Sequence, residues 1–296
     1  MFFPEDISKF SNEFLQNLPN LSNEEIAFQV MKDFVGDEIP EAELRKIVAE
    51  TIAFDIPLKK VTENIWVLEL FHGPTLAFKD VGARFMSRCL AYFNQNSEKK
   101  NTVLVATSGD TGGAVASGFL GVKGANVVIL YPSGKVSDIQ ERQLTTLGQN
   151  ITALEVDGTF DDCQALVKSA FMDKELNDHL LLTSANSINV ARFLPQAFYY
   201  FYAYAQLKKM GQADNKKVVV CVPSGNFGNI TAGLFGKQMG LPVSRFIAAN
   251  NKIENRLIIL IVYLKNNNFI TTLNIFLIVL NYEHYKFKNI ISTEVN

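Results

Sequence analysis

The 296-residue sequence is poor in the residues that staple small domains or bind metals. Its three cysteines, Cys89, Cys163 and Cys221, lie far apart with no CxxC spacing. That excludes a disulfide framework and a zinc ribbon and suits a reducing compartment. Three histidines, His72, His179 and His284, have no partners at metal-ligand spacing, so no metal is expected. Charge of either sign is not in excess: 28 basic and 30 acidic residues give a net of −2, leaving no global field for nucleic acid or an anionic membrane. No apolar run reaches the roughly 20 residues of a membrane helix. The start, MFFPEDISKF, lacks the basic region and apolar run of a secretory leader. Hydrophobic residues at 48% and charged residues at 20% exclude wholesale disorder. A soluble cytoplasmic protein of one large or two modest domains is expected, at roughly 150 residues per domain.

What is present falls into three parts. Residues 1–60 hold 12 acidic against 6 basic residues and read as helical. Ser22-Asn23-Glu24-Glu25 is a capped start followed by Ile26, Val30 and Phe34 at helix spacing. Ile39-Pro40-Glu41 opens a second helix running to about Phe54. From about 61 to 252, short apolar runs alternate with helix-like stretches. Ile65–Leu70, Thr102–Ala106, Asn126–Tyr131, Ile151–Val156 and Lys217–Val222 predict strands, several of them apolar enough to be covered on both faces. Ala114–Leu120 and Asp161–Met172 predict helices between them. Such alternation means an α/β fold with a mostly parallel sheet.

The last 44 residues, 253–296, hold 9 Ile, 8 Asn and 6 Leu but no Gly, Pro, Ala or Asp. A connecting α/β segment of that length normally carries turn punctuation. The runs Leu257–Leu264 and Phe269–Leu280, split by Lys265-Asn266-Asn267-Asn268, are each too short for a membrane helix. This bias is what A/T-rich codons give out of frame, so a displaced reading frame or truncated gene end is expected after codon 252.

Three strand-to-helix loops carry chemistry. In Glu69–Asp80, Gly73-Pro74 makes a turn, Thr75 is placed to cap a helix containing Lys79, and Leu76, Ala77 and Phe78 surround the lysine with apolar groups. Desolvation lowers a lysine's pKa and favours the nucleophilic amine, although a lone helix lysine is ordinarily solvated. Ala106-Thr107-Ser108-Gly109-Asp110-Thr111-Gly112-Gly113 offers hydroxyls and free N–H groups at a helix start, suited to a carboxylate or phosphate, or simply to capping the helix. Pro223-Ser224-Gly225-Asn226-Phe227-Gly228-Asn229 is a second glycine-rich cradle, neither a Walker loop nor GxGxxG. A desolvated lysine, a carboxylate-sized nest and a phosphate cradle together suit pyridoxal phosphate with an amino-acid substrate.

ELFHGPTLAFKD, ATSGDTGGAVA, YPSGKVSDIQERQLTT, NSINVARFLPQ and VPSGNFGN, in that order, closely resemble the threonine synthases over about residues 1–252. That family belongs to the fold-type-II pyridoxal-phosphate enzymes, α/β proteins related to tryptophan synthase β. The resemblance implies parallel-sheet domains with an N-terminal helical cap and conversion of O-phospho-L-homoserine and water to L-threonine and phosphate. It divides the chain into 1–95 carrying the lysine, 96–210 as an α/β domain with the substrate loop, 211–252 as the start of the large-domain segment with the phosphate loop, and 253–296 as a divergent tail not native to the fold. The large domain is then incomplete, because the family's continuation, with its hydroxyl residue facing the pyridine nitrogen, has no counterpart in the tail.

Carried over residue by residue, Lys79 is implied as the Schiff-base lysine and proton shuttle. Gly225, Asn226, Phe227, Gly228 and Asn229 are implied to hold the cofactor phosphate, with Asp110 near the ring hydroxyl. Thr107, Ser108 and Thr111 are implied for the substrate carboxylate. Lys135, Ser137, Ser187, Asn189 and Arg192 are candidates for the substrate phosphate, Arg192 through two parallel bonds. Two other readings stay open: a related dehydratase or phospho-lyase, and an inactive cofactor-binding fragment. His72 reads as a substrate contact or a bonded turn residue, and His179 and His284 as surface residues. The cysteines read as small buried hydrophobes. Trp66 and the run Phe198–Tyr204 read as core or as packing at an interface, which leaves a homodimer open.

Overall fold

The computed structural model describes residues 6–95, 100–187, 189–214 and 216–249, together with the backbone of 273–279. Three helices begin the chain: α1 (Asn12–Asn17), α2 (Asn23–Val35) and α3 (Glu41–Thr51). The Ser22 hydroxyl accepts the Glu25 N–H at 3.1 Å, so the cap expected from the sequence forms. Gly36 ends α2 with a φ of +52°, a conformation that only glycine adopts without strain. Ile26, Val30, Leu44, Ile47 and Val48 are buried. On the outer side, Arg45 pairs with Glu25 at 2.7 Å and Glu41 at 2.8 Å. Solvated pairs of that kind contribute about 1 kcal/mol or less each, so the buried stripe is what holds these helices down.

The remaining elements, in chain order, are β1 (Leu58–Lys60), β2 (Ile65–Glu69), α4 (Lys79–Phe93), β3 (Asn101–Ala106), α5 (Asp110–Phe119), β4 (Ala125–Pro132), α6 (Asp138–Thr145), β5 (Ile151–Val156), α7 (Phe160–Met172), α8 (Lys174–His179), β6 (Leu181–Ser184), α9 (Val190–Phe193), α10 (Ala197–Lys209), β7 (Lys217–Pro223), α11 (Gly228–Gln238), β8 (Val243–Ala249) and β9 (Leu273–Val279). They form two sheets. One is four-stranded and parallel, in the order β5-β4-β3-β6; the other is five-stranded, in the order β1-β2-β9-β7-β8, with only β1 antiparallel. The stretch 273–279 lies in the compositionally divergent tail, yet its backbone pairs in parallel with β2 on one side and β7 on the other.

The cores interleave along the chain. Of the two larger, one joins Leu15–Phe85 to Phe193–Val243 and the other gathers Met86, Val103, Val127, Ile151 and their neighbours around the four-stranded sheet. Through the first runs α10, in which Phe198, Tyr199, Tyr200, Phe201 and Tyr202 are all buried, as expected of a helix that is apolar all round. Helix α4 bridges the two cores, seated by two glycines. A Cβ at Gly82 would lie 2.2 Å from the Arg192 carbonyl oxygen, and one at Gly118 would lie 3.1 Å from the Ala83 backbone. Close approach at these points fixes α4, and with it the lysine at its first residue.

Candidate active site

Lys79 is the first residue of α4, with Phe78 as the cap, so the helix begins later than a Thr75 cap requires. The reason lies in Asp80. Its carboxylate accepts the Thr75 N–H at 2.9 Å and the Thr75 hydroxyl at 2.6 Å, folding residues 75–78 into a turn ahead of the helix. Gly73 makes room for that carboxylate, since a Cβ there would lie 2.4 Å from Asp80 Oδ2. Leu76, 63% exposed, takes a φ of +58° in this turn, an uncommon backbone state for a branched aliphatic residue. Burial pushes the Asp80 carboxyl above its ordinary range, partly offset by the Thr75 bonds.

The Lys79 amine donates to Thr111 Oγ1 at 2.9 Å. The structure thus brings the first loop onto the second. The residue keeps some accessible surface, but its amine lies among protein atoms. That desolvation lowers the pKa to about 8, with Asp110 raising it and the Arg192 cation lowering it. A position at the positive end of a helix works in the same direction.

Within the second loop, Thr107 is a fastener. Its buried hydroxyl accepts the N–H groups of Gly109 at 3.0 Å and Gly112 at 2.8 Å and donates to the Gly109 carbonyl at 3.1 Å. Ser108 is exposed and Thr111 partly so, which leaves these two hydroxyls on the open side. Asp110 Oδ1 accepts from Gln140 Nε2 at 2.5 Å. Gly109, with a φ of +138°, lets Gln140 in, because a Cβ there would lie 2.4 Å from its Oε1. Gln140 is on α6 and has no local signature of a site residue.

The third loop leads into α11. Gly225 and Asn226 are exposed, Phe227 and Gly228 are partly buried, and a Cβ at Gly225 would meet nothing within 4 Å among the described residues. Asn229 is 2% exposed, its Oδ1 accepts from the Tyr200 hydroxyl at 2.8 Å, and its Nδ2 is buried with no partner among the described residues. A Cβ at Gly228 would lie 3.4 Å from the Ser187 carbonyl oxygen, so Ser187 borders this cradle.

The candidates for a second anion are placed unequally. Lys135 donates to the Gly158 carbonyl at 2.9 Å on the surface, and Ser137 donates to Gln140 Oε1 at 3.0 Å. The Asn189 side chain is committed to its own segment, accepting from Ala191 N–H and donating to the Ser184 carbonyl, both at 2.9 Å. Arg192 is 2% exposed, donates through Nη1 to the Ala185 carbonyl, and leaves Nε without a partner among the described residues. Burial lowers its pKa to about 10 while Tyr199 and Asp80 raise it, so it is cationic at neutral pH.

Two residues that the sequence pattern reads as core or interface packing also reach the site. Tyr199 donates to the Phe78 carbonyl, just ahead of Lys79, and Tyr200 donates to Asn229. The available signal was hydroxyls in an otherwise apolar helix, since a buried tyrosine O–H needs a partner. His72 is a turn histidine, 2.8 Å from Glu69 Oε2, and His179 is exposed at the end of α8; His284 lies outside the described residues. Cys163 and Cys221 are buried, and burial pushes the partly buried Cys89 thiol up to about 12, leaving it an unreactive packing residue.

The profile described as "Pyridoxal-phosphate dependent enzyme" matches residues 48–259, most of the chain. The chain belongs to that family. A second profile, "Threonine synthase N terminus", matches residues 1–52. Threonine synthases of Serratia marcescens and Escherichia coli (strain K12) are 51% and 50% identical over 251 residues, 85% of this chain. The chain spans 57% and 58% of their lengths. The crystal structure of threonine synthase from Escherichia coli aligns with a TM-score of 0.79 at 50% identity, covering 85% of this chain and 58% of that one. The pyridoxal-phosphate-bound threonine synthase from Brucella melitensis gives 0.76 at 42% identity over 83% and 53%. At these identities the fold is that of a fold-type-II pyridoxal-phosphate enzyme. Among the described residues no helix is long and apolar enough to cross a membrane.

The residues present fit the family's cofactor. A depressed-pKa lysine suits an aldehyde, and an open glycine loop at the start of an 11-residue helix suits a phosphate. The unpartnered buried Nδ2 of Asn229 is a donor in want of an acceptor.

Proposed function

We propose that this chain is a threonine synthase, converting O-phospho-L-homoserine and water to L-threonine and phosphate, the last step of threonine biosynthesis. The observation that carries this reading is the Lys79–Thr111 hydrogen bond of 2.9 Å. It joins the lysine to the anion nest within a segment half-identical to threonine synthases. Lys79 holds the cofactor's aldehyde, and the backbone amides of Gly225, Asn226, Phe227, Gly228 and Asn229 hold its phosphate, with Asp110 by the ring hydroxyl. Bound pyridoxal phosphate supplies an electron sink for charge next to the substrate amino group.

The chain's own groups do the rest. Ser108 and Thr111 present hydroxyls to the substrate carboxylate, and Thr107 keeps their loop in shape. Arg192 is the cation for the substrate phosphate and Ser187 a hydroxyl donor to it, while Asn189 and Ser137 act by holding their segments. Lys135, tied to Gly158 on the surface, meets substrate only if that turn closes inward. With a pKa near 8, the Lys79 amine accepts and returns a proton near neutral pH, the requirement for moving hydrogen between adjacent substrate carbons.

The test is an absorbance titration of the purified chain with pyridoxal phosphate, borohydride trapping and peptide mapping, then assay of threonine and phosphate from O-phospho-L-homoserine. Adduct on Lys79 with stoichiometric threonine and phosphate is expected. Formation of 2-oxobutanoate in place of threonine assigns a dehydratase or phospho-lyase. A folded protein with no adduct and no product is an inactive fragment.

A further inference from the structure

Tyr200 lies in the middle of α10, fully buried, where its sequence neighbours make it look like filler. Its hydroxyl has a more particular setting. It lies 2.8 Å from Asn229 Oδ1 and 2.9 Å from the Asn229 carbonyl oxygen, so both acceptors of one residue face one donor. Asn229 is the second residue of α11, and its N–H belongs to the free set that opens that helix. The approach is built from both sides. On the same face of α11, one turn along, Gly233 has no side chain. A Cβ there would lie 2.6 Å from Tyr200 Cζ, so any larger residue pushes the ring, and the hydroxyl with it, away from Asn229. Burial raises the Tyr200 pKa well above its ordinary value, which keeps the hydroxyl a donor at working pH.

The geometry points to Tyr200 as a positioning residue for the cofactor phosphate: by binding both acceptors of Asn229 from inside the core, it fixes the first turn of α11 and the direction of the Asn229 amide. The hydroxyl sits against the carboxamide in the orientation in which Oδ1 faces the core and Nδ2 is left over. Nδ2 is the buried donor with no partner among the described residues. With the amide reversed, an acceptor would take that place, a poor neighbour for an anion. By anchoring Asn229 at both its side chain and its carbonyl, the hydroxyl holds the start of α11 in place before the anion arrives, at no cost in reorganisation. This inference rests on the reading that the 225–229 loop holds the cofactor phosphate.

Removing the phosphate from the probe separates positioning from general packing. Dissociation constants for pyridoxal phosphate and for pyridoxal are measured on the full chain, wild type and Tyr200→Phe, with melting curves alongside. The expected result is an approximately tenfold weaker pyridoxal phosphate affinity in Tyr200→Phe, the size of one charge-assisted hydrogen bond, with pyridoxal affinity unchanged. Equal losses for both probes, or no loss for either, overturn the inference and make Tyr200 a packing residue. Should Tyr200→Phe not fold, Asn229→Ala serves with Tyr200 intact: the same selective loss is expected, and an unchanged preference for the phosphorylated probe overturns the inference. A wild-type chain that binds both probes alike removes the phosphate loop itself, and this inference falls with it. A wild-type preference that survives Tyr200→Phe removes this inference alone.

Discussion

At the scale of single residues, the site is built from groups that work against stability. A lysine with a pKa near 8 in the folded chain and an ordinary value when unfolded destabilises the fold wherever it is charged. That penalty is fully present below pH 8 and is relieved as pH rises from about 8 toward the unfolded value near 10.5. Lys79→Met removes it while filling similar volume. The expected outcome is a melting temperature about 2–4 °C above wild type at pH 7, the shift of about 1 kcal/mol in a chain of this size. The advantage should shrink steadily between pH 8 and 10. Equal melting temperatures across that range would show the amine to be solvated.

Part of this site was legible in the sequence, because its chemistry is local. Gly109, Asp110, Thr111 and the 225–229 loop announce themselves by residue type and by position after an apolar strand. Gln140, Tyr199 and Tyr200 do not, since their partners lie 30, 121 and 29 residues away. Only the fold makes them neighbours. Thr107 was legible as a member of the nest but not as its fastener, a role that depends on which side of the turn the hydroxyl faces.

Among the elements, four interior strands and the edge strand β5 were readable, and the other three edges were not. β5, an edge strand with exposed positions, was expected at the residues it occupies, and the interior strands β2, β3, β4 and β7 within one residue at either end, the interior ones because strands covered on both faces write unbroken apolar runs. β1, β6 and β8 are edges with exposed positions and carry no such run. Helix packing was equally silent, as Gly82 shows. In isolation Gly82→Ala should stabilise α4 by about 1 kcal/mol. In the fold the new methyl meets the Arg192 carbonyl at 2.2 Å, backbone against backbone, where neither side can swing away, at a cost of about 1–3 kcal/mol. The clash wins. Gly82→Ala should lower the denaturation midpoint in urea and also weaken pyridoxal phosphate binding, because α4 carries Lys79 at its start. A variant as stable as wild type would place the α4–α9 contact elsewhere.

For the whole molecule, the question is what joins the two halves of the five-stranded sheet. β1-β2 comes from the N-terminal third and β7-β8 from residues beyond 216, and each is a two-stranded ribbon that is marginal alone. β9 lies between them, with Ile65 opposite Ile275 on one side and Lys217 opposite Leu273 on the other. Which strands the tail would join was not legible, since nothing local connects an Ile/Asn/Leu-rich stretch to strands about 200 and 50 residues upstream. The run LNIFLIV nonetheless has the composition of a strand covered on both faces. Ending the chain at Lys252 would leave β2 and β7 with facing unpaired edges, which recruit other chains. The expected outcome is a drop in soluble yield and fast amide exchange in peptides covering 65–69 and 217–223. Peptides covering 101–106, in the separate four-stranded sheet, should keep their protection. Unchanged protection at 65–69 and 217–223 would mean that the ribbons hold together through α10 and the N-terminal helices alone, and that β9 contributes nothing to the sheet's stability.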